Sequence, residues 1–169
     1  AMRRYRDIQI GDDILDSREV IERLEELEDD IGERHKEANA KHDKLLAAKE
    51  VYMRRHGKQN PDVERAIDAA MEELEQIEAE SDYDDLLDFR ELDEEGQAYA
   101  SDWLHGATLI HESHFTDYAQ QLTADIGGDV PGWVVVDWEA TAEGLKMDYT
   151  TIEVNGETYY AIEEPTSLN

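Results

Sequence analysis

Apolar residues recur every seven positions through the first third of the chain, and this spacing constrains the fold more than any other feature. The repeat consists of Leu24, Ile31, Ala38, Leu45 and Tyr52. Heptad spacing is typical of a long helix that packs along one stripe, as in a coiled coil. We therefore predict a coiled-coil-like helix over 17–56, about 60 Å long if unbroken, or two helices that meet near Gly32, since glycine is costly inside a helix.

Four leucine and isoleucine side chains of this helix are the candidates for self-association. They are Leu24, Leu27, Ile31 and Leu45. Because a heptad seam is the surface through which coiled-coil helices pair, it makes this element available for self-association.

A loop around Gly57 separates this helix from a second one. Pro61 suits the first helical position and Asn60 suits the cap before it. The apolar residues that follow alternate at spacings of four and three and form one stripe: Val63, Ile67, Ala70, Leu74 and Ile77. This stripe predicts an antiparallel helical hairpin with the preceding helix. A further helical region is expected over 82–105, with a break at Gly96.

The last third of the chain has mixed character. A helix is predicted over 113–126, and Asp137 is placed to cap a short helix after it. Asn155-Gly156 lies between two β-prone runs, which is a strong signal for a β-hairpin. Residues 3–15 are expected to be irregular. Eight aromatic residues are expected mainly in the core: Trp103, Phe115, Tyr118, Trp133, Trp138, Tyr149, Tyr159 and Tyr160.

These patterns together predict an α+β fold that is mainly α. An N-terminal segment and helical hairpin would occupy residues 1–81. A small acidic domain of short helices and a β-hairpin would occupy residues 82–169.

Negative charge dominates the composition and is unevenly distributed. The 169 residues include 16 Lys plus Arg and 44 Asp plus Glu, a net charge of −28. Residues 1–58 carry 13 basic and 15 acidic residues, whereas residues 59–169 carry 3 and 29. A surface this negative repels phosphates and anionic lipids, so direct binding to nucleic acid or to a membrane is excluded. Since 40% of the residues are hydrophobic, the chain is expected to fold.

The densest acidic stretch is 62–96, with 16 acids against Arg65 and Arg90. As a helix it would extend about 52 Å and carry an acid about every 3.3 Å, close to the charge spacing of about 3.4 Å on one DNA strand. This density predicts an acidic surface for a basic nucleic-acid-binding partner. Its candidate residues are Glu72, Glu73, Glu75, Glu78, Glu80, Asp82, Asp84, Asp85, Asp88, Glu91, Asp93, Glu94 and Glu95.

Signatures of catalysis and metal binding are missing from the sequence. There is no cysteine. The histidines His111 and His114 are three residues apart, whereas zinc proteases need four, so we expect them to cap a helix and pack beside aromatic rings. No run of about 18 apolar residues occurs. We therefore expect a soluble, cytoplasmic protein that is not an enzyme and needs no cofactor or metal.

Three segments carry a resemblance to a known family. They are 109–127 (LIHESHFTDYAQQLTADIG), 136–140 (VDWEA) and 147–149 (MDY). This part of the chain, roughly 90–162, resembles the C-terminal part of small acidic antirestriction proteins of the ArdA type, which phages and plasmids carry. The resemblance rests on the hydrophobic framework and on Asp and Trp positions. It implies a dimeric DNA mimic that blocks a host restriction or related defence enzyme.

The sequence thus supports a leading hypothesis and two alternatives. The leading hypothesis is a non-enzymatic acidic inhibitor that mimics DNA and blocks a basic nucleic-acid-binding enzyme. The alternatives are a helical coiled-coil scaffold protein and an acidic chaperone for a basic partner, which would use the negative charge without DNA-like geometry.

Overall fold

Helices make up most of the structure, a computed structural model that describes residues 8–127 and 131–162. The helices are α1 (Ser17–Leu27), α2 (Glu33–His56), α3 (Pro61–Glu78), α4 (Ser81–Tyr99), α5 (Trp103–Gly106), α6 (Phe115–Gly127) and α7 (Trp138–Lys146). The strands are β1 (Ile14–Asp16), β2 (Thr108–His111), β3 (Thr150–Val154) and β4 (Glu157–Ile162). This composition confirms the predicted α+β fold with mainly α structure.

The chain divides into two units. Leu24–Leu87 form the first, which we call the helical unit, and Ala1–Arg23 with Asp88–Asn169 form the second, which we call the sheet unit. The division differs from the predicted domains 1–81 and 82–169 because the segment before α1 contributes strand β1 to the sheet of the second unit.

A π-helical turn connects α1 to α2. It spans Glu28–Gly32, and Gly32 keeps helical dihedral angles of φ −61° and ψ −43°. The backbone therefore stays helical through Gly32, and the interruption takes the form of one wider turn. Ile31, at the centre of this turn, is fully buried.

The loop between α2 and α3 has the predicted caps. Gly57 ends α2 in the left-handed region at φ 65°, which glycine adopts without a steric penalty. Asn60 Oδ1 accepts a hydrogen bond from the Asp62 N–H at 3.0 Å, and Pro61 is the first residue of α3. The predicted apolar stripe of α3 is confirmed at its buried members Ile67, Ala70 and Ile77.

Four antiparallel strands form the sheet, in the order β1-β2-β4-β3. The predicted hairpin joins β3 and β4, with Asn155 and Gly156 at φ 47° and φ 78° in its turn. Strand β1 corrects the expectation that residues 3–15 are irregular, as far as the described residues 8–15 are concerned. It pairs with β2, which brings Leu15 opposite Leu109, both buried.

Helix α4 continues past Gly96 and ends at Tyr99, so the predicted break at Gly96 is wrong. Gly96 is instead a packing site: a Cβ atom there would lie 2.3 Å from the indole ring of Trp103. The same indole donates from Nε1 to Asp93 Oδ1 at 2.8 Å. Glycine is therefore needed at residue 96 because the buried Trp103 ring lies directly on the helix backbone.

One hydrophobic cluster of the sheet unit joins β2 and β4 to α6 and α7. Its buried members are Ile110, Phe115, Ala119, Ala142 and Tyr160. Most of the aromatic residues expected in the core are buried or half-buried. Trp133 is the exception: it is 84% exposed, so its prediction as a core residue is wrong.

Candidate partner-binding surface

None of the thirteen predicted acidic residues is buried. Eight are exposed: Glu72, Glu73, Glu75, Glu78, Glu80, Asp84, Glu91 and Glu94. Five are half-buried: Asp82, Asp85, Asp88, Asp93 and Glu95. Exposure alone does not separate acids that are available to a partner from acids that already interact with the protein itself.

Helices α2 and α3 carry opposite charge. Helix α2 contains seven Lys plus Arg and four Asp plus Glu, whereas α3 contains one and seven. Three ion pairs connect cations of α2 with acids in or just after α3: Arg34 with Glu80, Lys41 with Glu73, and Lys49 with Glu64. From Arg34 to Lys49 along α2, the paired acids run in the opposite direction, from Glu80 back to Glu64. The two helices are therefore antiparallel.

The pair between Arg34 and Glu80 has the best geometry. Arg34 donates to both carboxylate oxygens of Glu80, at 2.8 Å and 3.1 Å, and to Asp30 at 3.2 Å. Hydrogen bonding to Arg34 lowers the pKa of Glu80, and the two carboxylates raise the pKa of Arg34. Glu80 is therefore occupied by a bidentate contact within its own unit.

These contacts divide the acids of α3 into two groups. Glu73 faces Lys41, and Glu78 lies 3.4 Å from His35, which also contacts the ring of Tyr83. Glu72 and Glu75 point outward with Asp68, at spacings of four and three residues. Along a helix axis these spacings are about 6 Å and 4.5 Å, wider than the roughly 3.4 Å per charge of one DNA strand.

Part of the acidic set in α4 is used in the sheet unit. Asp93 accepts hydrogen bonds from Trp103 and from Gln97, both at 2.8 Å. Asp88 accepts one from the side chain of Asn155 at 3.1 Å. Asp84, Glu91 and Glu94 are exposed, and they are the acids of α4 that project into solvent.

Few cations are present to neutralise this part of the chain. After residue 58 the only basic residues are Arg65, Arg90 and Lys146. Arg65 pairs with Asp62, and Lys146 pairs with Glu143 at 2.8 Å while lying over the rings of Phe115 and Tyr160. With three basic residues for 29 acids after residue 58, this part of the chain cannot neutralise most of its own negative charge, and only some of its acids pair with cations of α2.

His111, one of the histidines of 105–114, has structural contacts. His111 Nδ1 accepts from the Ser113 N–H at 3.1 Å, and its other ring nitrogen meets Glu157. Its ring packs edge-on against Tyr159, with centroids 5.1 Å apart. The expected capping and aromatic packing are thus present at His111. Within residues 8–127 and 131–162, no group of three or more His, Asp or Glu side chains is arranged to hold a metal ion.

The residues predicted for self-association lie in different environments. Leu27 and Ile31 are buried within the single chain, at 2% and 0% exposure, whereas Leu24 and Leu45 are half-buried. A second copy therefore cannot reach Leu27 or Ile31 in this conformation.

Sequence reasoning missed the cations that neutralise the acids of α3, namely Arg34, Lys41 and Lys49. A usable signal was present, since a basic helix and an acidic helix follow each other across one short loop. Laying the two helices antiparallel from that loop brings these cations opposite acids.

Comparison with known proteins gives no match to the chain among protein-family models, curated proteins or solved structures. Among the described residues, no helix has the length and apolar character required to cross a membrane.

Proposed function

We propose that this protein is a folded polyanion that inhibits a basic nucleic-acid-binding protein by occupying its nucleic-acid site. The observation that carries the proposal is the excess of acids after residue 58, where the sequence has 29 acids and three basic residues and the cations of α2 pair with only some of those acids. Like charges held together in a folded chain repel each other and lower its stability. A binding role supplies a reason for keeping them.

The contacts sharpen which acids would do this. Glu73, Glu78 and Glu80 are occupied by α2, so they contribute less to an external partner than their exposure suggests. Asp84, Glu91 and Glu94 are exposed on α4. We therefore assign the main contact with the partner to α4, with Glu72 and Glu75 of α3 as further contributors.

The charge of this surface predicts which contacts the partner would make and how they would depend on salt. A nucleic-acid-binding site lined by Lys and Arg would exchange its phosphate contacts for carboxylate contacts, with a strong salt dependence. The resemblance of residues 90–162 to ArdA-type antirestriction proteins suggests a host restriction or related defence enzyme as the target. We place the protein in the cytoplasm, where such enzymes act, as a non-enzymatic inhibitor without a cofactor.

The test is a capture and competition experiment. The immobilised protein is incubated with extract of its source cell at low and moderate salt, and the captured proteins are identified. The proposal predicts a basic nucleic-acid-binding protein that duplex DNA displaces from the immobilised protein. A captured partner that binds DNA and this protein at the same time would contradict it.

The same experiment separates the acidic-chaperone alternative. A chaperone needs only diffuse charge and would release its basic client to DNA without blocking a DNA site. An inhibitor instead keeps the partner from binding labelled duplex DNA, which a gel-shift measurement reads directly.

A further inference from the structure

The loop end of the helical unit is positively charged, in contrast to the strongly acidic helix α3 that follows it. Residues 51–61 contain Arg54, Arg55 and Lys58 and no acid, although the whole chain has a charge of −28. Arg54 and Arg55 lie in the last turn of α2, where positive charge also complements the helix dipole. We call residues 51–58 the cationic end.

An apolar groove lies beside these cations. It has a volume of about 420 Å³ and is lined by Ala47, Ala48, Val51, Tyr52, Arg55, His56 and Val63. The rings of Tyr52 and His56 lie 4.2 Å apart at its edge. Val51 is 39% exposed, and neighbouring Leu46 and Met53 are exposed to a similar degree. The groove thus has an aliphatic floor with a guanidinium group and an imidazole at its rim.

Among the described residues, the cations at this end have no ion-pair partner, unlike those next to them. Lys49 pairs with Glu64, and Arg65 pairs with Asp62. Arg54, Arg55 and Lys58 form no ion pair with any residue in 8–127 or 131–162. An apolar groove edged by free cations is complementary to an apolar surface edged by acids.

We propose that this groove binds an amphipathic acidic helix of another protein. A groove between two helices accepts apolar side chains spaced three and four residues apart, which is how helices bind in hydrophobic grooves. Acidic residues flanking those side chains would meet Arg54, Arg55 and Lys58. This site is separate from the proposed inhibitory surface, because a basic partner would be repelled here.

Two other occupants fit less well. Nucleic acid would bring charged phosphates, and no aliphatic side chains, to the aliphatic floor of the groove. A second copy of this protein would have to place an exposed apolar side chain, flanked by acids, in the groove. Leu87, three residues after Asp84 and 43% exposed, offers one such position, so self-association is an outcome that the test must distinguish.

The probe is a fluorescently labelled peptide of about 16 residues, with Leu at spacings of three and four, Glu beside the Leu positions, and Ala elsewhere to support the helix. The control peptide has the same composition with scattered Leu. Fluorescence anisotropy is measured near 0.15 M salt, where the screening length of about 8 Å removes repulsion from distant acids and keeps short-range attraction. The parent protein should bind the patterned peptide and not the scattered one.

A matched pair of variants locates the binding. Arg54→Glu with Arg55→Glu should weaken binding at least about tenfold, since close charge pairs dominate such contacts. Lys36→Glu with Lys44→Glu changes the net charge by the same amount on the same helix, at residues that do not line the groove, and should change binding less than about twofold. Circular dichroism checks that both variants keep their helix content.

Three outcomes would overturn the proposal. The parent does not bind the patterned peptide, or the two double variants lose binding equally, which would indicate only net charge. In the third outcome, light scattering shows that the parent forms dimers. The double variant Arg54→Glu with Arg55→Glu abolishes these dimers, whereas the double variant Lys36→Glu with Lys44→Glu keeps them. The occupant would then be a second copy.

Discussion

The α2–α3 pair and residues 88–162 use acidic residues in different ways. Helices α2 and α3 together carry eight Lys plus Arg and eleven Asp plus Glu, whereas residues 88–162 carry two and sixteen. In the first region, cations of α2 pair with acids of the neighbouring helix, so part of the negative charge supports the fold. In the second region, the number of acids is far larger than the number of basic residues that could pair with them. The difference teaches that the total of −28 combines structural acids with acids that the fold does not need.

The largest effect expected on the fold comes from Gly96 in the sheet unit. Changing Gly96→Ala puts a methyl group into the Trp103 ring and should lower the free energy of unfolding by about 3 kcal/mol. Chemical denaturation followed by near-UV circular dichroism measures it. The control is Gly144→Ala in α7, where a Cβ meets nothing within 4 Å. A neutral Gly96→Ala would show that the indole does not pack there.

A buried hydroxyl group gives the next largest effect, also in the sheet unit. Tyr159 Oη accepts from the Gly11 N–H at 2.8 Å and donates to the Asp12 carbonyl at 2.9 Å. Burial raises the pKa of Tyr159 to about 12. Tyr159→Phe should cost about 1–2 kcal/mol because both groups lose their partner. Amide exchange at Gly11 should accelerate. Unchanged exchange there would show that the hydroxyl does not hold the segment before β1.

In the helical unit, removing the cap of α3 should lower the free energy of unfolding by a smaller amount. Asn60→Ala removes the oxygen that accepts from the Asp62 N–H and should cost about 1 kcal/mol. Hydrogen exchange should accelerate in the first turn of α3. If exchange in β2 and β4 accelerates equally, the two units do not respond separately to local damage, and the comparison between them fails.

The smallest effect on stability is pH-dependent and belongs to the pair between Arg34 and Glu80. Because Arg34 lowers the pKa of Glu80 in the folded protein, the pair stabilises the fold above the ordinary glutamate value of about 4.3. This contribution is lost as the pH falls through the lowered pKa. The parent should therefore be more stable than Glu80→Gln at pH 7, and the difference should vanish in acid. Thermal unfolding at several pH values tests this, and a difference that grows in acid would contradict it.

The sequence predicts features that depend on neighbouring residues. The cap at Asn60, the cap at Asp137 and the turn at Asn155-Gly156 are all present, because each is specified by two or three residues in a row. The fold class follows from the heptad spacing and the β-prone runs.

Features that depend on distant residues were missed. Strands β1 and β2 contain three and four residues, too few for an alternating pattern to show, and they exist because they pair across the sheet. The close contact between Gly96 and Trp103 depends on how the chain turns after Tyr99. At Trp133, aromatic character alone suggested burial, but no packing surface covers most of the ring.

The sequence could predict which region forms the candidate surface, but not the role of each acidic residue in it. Composition located the acids of 62–96. Which of them are occupied depends on the register of α2 against α3, so Glu73 and Glu80 looked the same as Glu72 and Glu75 until the helices were placed side by side.

The most direct test of the central claim compares two triple variants that each remove three negative charges. One is Asp84→Asn with Glu91→Gln and Glu94→Gln, and the other is Glu73→Gln with Glu78→Gln and Glu80→Gln. Unfolding free energy and affinity for the captured basic partner are measured for both. The first variant should keep or gain stability and lose affinity at least about tenfold, with a salt dependence reduced by about one unit of slope for each contacting acid. The second should lose stability and keep affinity within about twofold. Equal loss of affinity in both variants, or loss of stability in the first alone, would contradict the division of the acids into structural and partner-binding groups.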